Sequence, residues 1–204
     1  RSYTVTADAP LCNYILSLGS NTDASAGVTG VWRGAEARSR GAKRVQVEPH
    51  LSVTGASARE WIPIRPKTDA AFMYALLHVL MCEHPISDLD VTFLKQRTAS
   101  PYLVGPNGYY LRDANDRKPL LWDETSNRAV PFDTPGIDPA LQGTRLLGGI
   151  EIGPDGKEWH HEQVEARTAY DKAKDMIQHH SPEWAEKICD VPAATTRRIA
   201  NEML

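Results

Sequence analysis

Three short apolar runs, each stopped by a turn and separated by helical patterns, constrain this chain more than any other feature. Cys12-Asn13-Tyr14-Ile15-Leu16-Ser17-Leu18 reads as a buried strand ended by Gly19-Ser20-Asn21. Arg44-Val45-Gln46-Val47-Glu48 reads as a second strand, stopped by Pro49. Glu60-Trp61-Ile62-Pro63-Ile64 reads as a third, with Pro63 marking a strand end or a sheet edge. Between the first two, Gly30 to Gly41 carries Val31, Ala35, Ala37 and Arg38 at helical spacing, with Gly41 as the stop. After the third, Thr68-Asp69 opens a helix that runs through His84, and either residue can cap it. Strands alternating with helices predict an α/β fold: a Rossmann-like parallel sheet flanked by helices, with strands near 13–18, 43–48 and 60–64.

From Pro101 to about His161 the pattern changes. Gly, Pro, Asn and Asp are frequent, as in Gly105-Pro106-Asn107-Gly108, and short stretches such as Tyr109-Tyr110-Leu111 and Leu120-Leu121-Trp122 suit hairpins. This reads as an irregular, β-rich excursion, and such insertions often pack on a neighbour. The end reads as helical: Glu162 to His179, a second helix from Ser181-Pro182-Glu183 with Ser as cap and Pro in the first turn, and a third from Pro192 to Leu204. The expected division is 1–100 for the sheet domain, 101–161 for the excursion and 162–204 for a helical segment leading to a next domain.

A chain of 204 residues, 41% hydrophobic and 24% charged, can bury a core, and a net charge of −3 gives no reason to expect nucleic acid as a partner. The longest apolar run, Ala70 to Cys82, contains His78 and is too short to span a bilayer, and Arg1 to Pro10 lack the apolar centre of a signal peptide. These features leave the compartment open. The three cysteines, Cys12, Cys82 and Cys189, are far apart, so neither a zinc site nor a cysteine-held cluster is expected from this chain alone. Cys12 and Cys82 sit in apolar runs and read as core thiols. His160-His161 and His179-His180 read as solvated pairs, because adjacent helical positions diverge by about 100° and cannot chelate together. Trp61 and Trp184 read as core or interface anchors, and Arg197-Arg198 as a charged helix face.

The loops after the three strands carry the chemistry, since open α/β sheets bind ligands at the carboxyl ends of their strands, near a switch in strand order. Gly19 lets a phosphate approach backbone N–H groups in Gly19-Ser20-Asn21. Glu48, in Glu48-Pro49-His50, can accept from ribose hydroxyls. Asp69, in Arg65-Pro66-Lys67-Thr68-Asp69, offers two acceptors to the N1–H and 2-amino edge of guanine. Plain structural readings stand beside these: a turn, a solvated strand end and a helix cap. No G-x-G-x-x-G follows the first strand, and the acidic residue lies about thirty rather than about twenty residues on, so an ordinary nicotinamide dehydrogenase is not indicated.

Tyr14 to Asn21, Glu36 to Lys43, Val45 to Pro49 and Thr54 to Ala71 together resemble the dimethyl sulfoxide reductase family of molybdopterin-dependent oxidoreductases. Phe93-Leu94, Thr98 to Val104 and Ser181 to Ala185 are similar to that family as well. The resemblance implies a segment of a catalytic subunit that binds molybdopterin guanine dinucleotide with molybdenum or tungsten. It also implies cofactor contacts from Gly19, Ser20, Asn21, Glu48, Pro49, His50, Lys67, Thr68 and Asp69. Glu48 stands where the family usually has Asp, and Lys67 where it often has Gly or Gln; such a lysine can pair with a phosphate or point to water. The family's protein ligand to the metal lies upstream of the Gly-Ser-Asn loop, so no catalytic and no metal-binding residue is assigned here. Implied partners are an electron-transfer subunit together with the remaining domains of the same polypeptide. An iron–sulfur cluster is compatible with the full-length protein but not with this chain. The alternative is a stand-alone α/β nucleotide- or partner-binding module without catalytic activity.

Overall fold

The computed structural model describes residues 8–204; the reading of Arg1 to Ala7 lies outside them. Two compact units are formed. One takes in the described residues up to Glu83 together with His180–Leu204, and the other is His84–His179. These units cut the chain differently from the expected boundaries at 100 and 161.

The first unit is built on β1 (Tyr14–Leu18), β2 (Lys43–Glu48) and β3 (Glu60–Pro63), hydrogen-bonded in the order β1-β2-β3. Both pairings are parallel, with Leu18 opposite Val47 and Glu48 opposite Pro63, so the carboxyl ends of all three strands share one edge. The expected parallel sheet is present with its strands where the apolar runs lie. The order is sequential, so these strands form no switch point.

The two faces of the sheet differ, because side chains alternate along a strand. Leu16, Leu18, Val45, Val47, Ile62 and Ile64 share a core with Phe72, Ala75 and Leu76. Those last three belong to α4 (Asp69–His78), which continues as a π-helical turn over Val79–Glu83. Helices α7 (Pro182–Cys189) and α8 (Ala193–Met203) supply Ala185, Cys189, Ile199 and Ala200 to the same core. Ser181 caps α7 by accepting from the Trp184 N–H, and Pro182 occupies its first position, as expected.

The opposite face of β2 is polar yet buried: Arg44, Gln46 and Glu48 are 5%, 0% and 3% exposed. Helices α1 (Thr22–Ser25), α2 (Gly27–Ser39) and α3 (Val53–Ser57) lie on this side. Gly41, at φ 94°, ends α2 as expected: its N–H donates to Arg38 O and the Ala42 N–H to Ala37 O, the paired bonds of a left-handed cap. Asp23 on α1 receives Arg44 at 2.9 Å, Arg38 at 2.8 Å and the Ser57 hydroxyl at 2.6 Å. Burial pushes its carboxyl up, but the bonds from Ser57, Arg44 and Arg38 outweigh that and bring it down to about 2. The folded value lies below the ordinary 3.8, so the stabilisation is full above pH 4 and fades as pH falls through 2. Asp23→Asn is therefore expected to cost on the order of 2 kcal/mol at pH 6, with the difference from wild type narrowing below pH 4 and closing only below pH 2 in urea titrations.

The second unit begins with a 3₁₀ turn at Ile86–Asp88 and α5 (Val91–Arg97). An antiparallel sheet then joins β4 (Leu103–Val104), β5 (Leu111–Arg112), β8 (Thr144–Ile152) and β9 (Glu158–Thr168) in the order β4-β9-β8-β5. A hairpin of β6 (Leu120–Asp123) and β7 (Arg128–Pro131) lies in the same unit, and α6 (Ala169–Ile177) closes it. The β-rich excursion is present, but the helix expected from Glu162 starts only at Ala169. Glu162–Thr168 are strand. Pairing shifts register between Leu147 and Gly149, and two adjacent residues of β9, Glu162 and Gln163, face outward. That bulge breaks the period of two, and the strand on either side of it no longer reads as one.

Cys12 is exposed rather than a core thiol; it flanks β1 instead of belonging to it. Cys189 is the buried one, and burial pushes its thiol up. No helix among the described residues is long and apolar enough to cross a membrane, and none of their His, Cys, Asp and Glu side chains form a group of three suited to a metal ion.

Candidate functional site

The shared carboxyl-terminal edge of β1, β2 and β3 gathers the loops singled out in the sequence. Gly19 adopts a left-handed φ of 59°, and its N–H donates to Val47 O at 2.9 Å, which pins the first loop to the end of β2. A β-carbon placed on Gly19 would stand 3.9 Å from Asp69 Oδ1. The space beside Gly19 therefore tolerates a side chain, and it is the left-handed backbone that favours glycine there. The first and third loops thus meet.

Beyond Gly19, the Ser20 and Asn21 N–H groups take no hydrogen bond among the described residues. The Asn21 side chain is occupied: its Oδ1 accepts from the Thr54 hydroxyl at 2.9 Å and the Thr54 N–H at 3.3 Å. This ties the loop to α3.

The third loop is anchored from below. The Arg65 N–H donates to Cys189 O at 2.9 Å, and the Arg65 guanidinium grips Asp190 with bonds of 2.8 and 3.0 Å. Pro66 and Lys67 follow, and Lys67 sits at φ 68°. A left-handed backbone is costly for any residue but glycine, which accounts physically for glycine being at home at this position. Thr68 occupies the cap position of α4, yet its hydroxyl donates to Arg65 O and caps nothing. Asp69 is the first helical residue. Neither its carboxylate nor the exposed Lys67 ammonium has a partner among the described residues.

The second loop is arranged differently from the sequence reading. Glu48 is turned into the polar side of the sheet, where Oε1 accepts from the Ser52 N–H at 2.8 Å and Oε2 from Gln46 Nε2 at 3.0 Å. Burial pushes its carboxyl up, and the bonds from Ser52 and Gln46 more than reverse this, leaving it below the ordinary carboxylate value. The extra methylene of Glu over Asp supplies the reach to Ser52, so the carboxylate holds the 49–52 turn instead of standing open at a strand end. Pro49 and His50 are exposed on that turn.

A cavity of about 690 Å³ lies elsewhere: Gly41, Ala42, Lys43, Arg44, Ala58 and Arg59 line it at the amino ends of β2 and β3. Two of the residues around it, Arg38 and Arg44, are paired with Asp23, so it is no rival for the carboxyl-terminal edge. Sequence reasoning missed Gln46 and Thr54, which hold the loops, and gave Arg65 a place in the third loop but no role. The alternation in Arg44-Val45-Gln46-Val47-Glu48 is the signal that could have pointed to Gln46.

One histidine departs from the solvated role expected of it. His160 is exposed, but His161 is nearly buried and its Nε2 lies 2.8 Å from Glu151 Oε2. It lies on a strand, not a helix, so neighbouring side chains face opposite sides.

No family model matches the chain. Among curated proteins it is 30% identical over 183 residues to a sulfite dehydrogenase subunit of Allochromatium vinosum, covering 83% of this chain and 17% of that protein. It is 31% identical over 170 residues to dimethyl sulfoxide reductase DmsA of Haemophilus influenzae, covering 83% of this chain and 14% of that one. With the nitrate reductase alpha chain of Bacillus subtilis it shares 34% identity over 122 residues, half of this chain and 10% of the other. The chain thus spans about one sixth of the sulfite dehydrogenase polypeptide it matches. Similarity to several such proteins across most of the chain, together with the parallel sheet and its loops, places it in a family: the chain belongs to the molybdopterin-dependent oxidoreductases of the dimethyl sulfoxide reductase family.

Proposed function

We propose that this chain is part of the catalytic subunit of a molybdenum or tungsten oxidoreductase and holds one molybdopterin guanine dinucleotide at the carboxyl-terminal edge of its parallel sheet. The observation that carries the reading is the meeting of Gly19 and Asp69, with free N–H groups on one loop and an unpartnered carboxylate on the other. These groups offer donors to phosphate and paired acceptors to a guanine edge at one edge of the sheet. Ser20 and Asn21 present N–H groups to a phosphate, Lys67 adds a positive charge, and Asp69 accepts from guanine. Thr68 fixes the third loop through Arg65 O, while Glu48 shapes the turn that carries Pro49 and His50. When bound, the metal–pterin group supplies the redox chemistry, and this chain's residues supply binding and orientation.

Exposed apolar side chains support a place within a longer subunit. Val28 and Trp32 lie one turn apart on α2, 89% and 62% exposed, and Met73 and Leu77 repeat the spacing on α4. Under this reading the partners are the remaining domains of the same polypeptide and, beyond them, an electron-transfer subunit. An iron–sulfur cluster is compatible with those other parts and not with this chain.

Guanosine diphosphate tests the site without the metal. It is expected to shift the backbone amide resonances of Gly19–Asn21 and Lys67–Asp69, and to bind at least about 30-fold more tightly than adenosine diphosphate. Adenine presents no adjacent N1–H and 2-amino donors to Asp69. Equal affinities, or shifts confined to other residues, would remove the guanosine site from this edge.

A further inference from the structure

Gln46 is wholly buried on the polar side of β2, and its side chain spans two of the loops. Its Nε2 donates to Ser20 O at 3.1 Å and to Glu48 Oε2 at 3.0 Å. Its Oε1 is buried with no hydrogen-bond partner among the described residues. A buried acceptor without a donor destabilises a fold, so stability alone is a poor reason for an amide here. The geometry of the peptide group supplies another. In a trans peptide the carbonyl and the following N–H point in opposite directions. With the Ser20 carbonyl drawn inward to Gln46, the Asn21 N–H must point away from it, and that N–H is unpaired.

We infer that Gln46 is a positioning residue for the Gly19–Asn21 loop: by holding the Ser20 carbonyl it turns the Asn21 N–H toward the place where a phosphate binds. This rests on the reading of the edge as a dinucleotide site. The same amide couples that loop to Glu48, whose other oxygen fixes Ser52, so one buried side chain sets the first loop against the second.

Gln46→Met keeps length and shape but removes both the donor and the acceptor. Guanosine diphosphate is the probe, and its affinity is expected to fall about tenfold, the loss typical of one hydrogen bond to a charged group. The Asn21 N–H vector, measured by residual dipolar couplings, is expected to reorient, and its response to the nucleotide to disappear. A merely structural Gln46 would lower thermal stability while leaving the nucleotide affinity of the folded variant and the Asn21 vector unchanged; that pattern overturns the inference. A measurement on wild type guards against a variant that does not fold. The Gln46 side-chain amide protons should exchange slowly with solvent, and rapid exchange overturns the inference on its own. If wild type binds no guanosine diphosphate, the cofactor site falls, while the Asn21 vector and the Gln46 exchange rate still decide what Gln46 does to the loop.

Discussion

Asp69→Asn is expected to lower guanine-nucleotide affinity by roughly 30- to 700-fold, about 2–4 kcal/mol. A carboxylate offers acceptors to both donors of the guanine edge. Asn offers one carbonyl oxygen and one amide, so one of the two contacts becomes donor against donor. The competing explanation, Asp69 as the cap of α4, forecasts little change, because Asn and Asp cap about equally well. In the structure Asp69 is not the cap. Thr68 occupies the cap position, and Asp69 is the first helical residue, its carboxylate beside Gly19 and bonded to nothing among the described residues. What remains for helix stability is an acidic group near the amino end, worth about 0.3–1 kcal/mol. The paired measurement is therefore guanosine diphosphate affinity with cofactor content of the loaded enzyme, set against thermal stability. A variant that keeps its cofactor in full would end the guanine reading of Asp69, whatever its melting temperature does.

The strands of the sheet were legible because their apolar runs are short, dense and closed by Gly or Pro. Both the pairing direction and the gathering of loops at one edge follow from helices lying between strands. The polar layer on the second face was not legible. Arg44, Gln46 and Glu48 alternate with Val45 and Val47, a pattern that ordinarily marks one buried and one solvated face. Burial of both faces depends on α3, a helix of five residues too short to leave a periodic signal, and on an ion-pair cluster around Asp23 whose members are 15 to 34 residues apart in the chain. The role of Glu48 changed for that reason: the sequence showed a charged residue at a strand end, but not the Ser52 N–H that takes it inward. The left-handed backbone at Lys67 was foreshadowed only by the resemblance, in which glycine is one of the two residues common at that position. The misread helix at Glu162 has a different cause, a bulge that breaks the pattern of a long strand.

Glu151→Ala is expected to destabilise the second unit by about 2–4 kcal/mol. Glu151 is fully buried on β8, and its carboxylate gathers the turn that follows β4. The Asn107 N–H reaches Oε1 at 3.1 Å, the Tyr109 N–H reaches the same oxygen at 3.1 Å, and Asn107 Nδ2 reaches Oε2 at 2.9 Å. His161 adds a fourth donor at 2.8 Å when its Nε2 carries the proton. Packing is equally close, since a β-carbon on Gly105 would stand 2.5 Å from the Glu151 carboxyl carbon. Alanine would leave the half-buried Tyr109 N–H and His161 without this acceptor, free the Asn107 donors to water, and open a cavity beneath the turn, so the losses of hydrogen bonding and packing add. Glu151→Gln keeps the volume but turns an amide group toward donors, and is expected to cost less than Ala. None of these partners belongs to the sheet unit, whose core includes no residue of this one. Guanosine diphosphate affinity is therefore expected to stay at the wild-type level while the Asn107 and Tyr109 amides lose their protection from hydrogen exchange. A loss below about 1 kcal/mol, with those amides still protected, would mean the turn holds itself and Glu151 merely fills space beneath it.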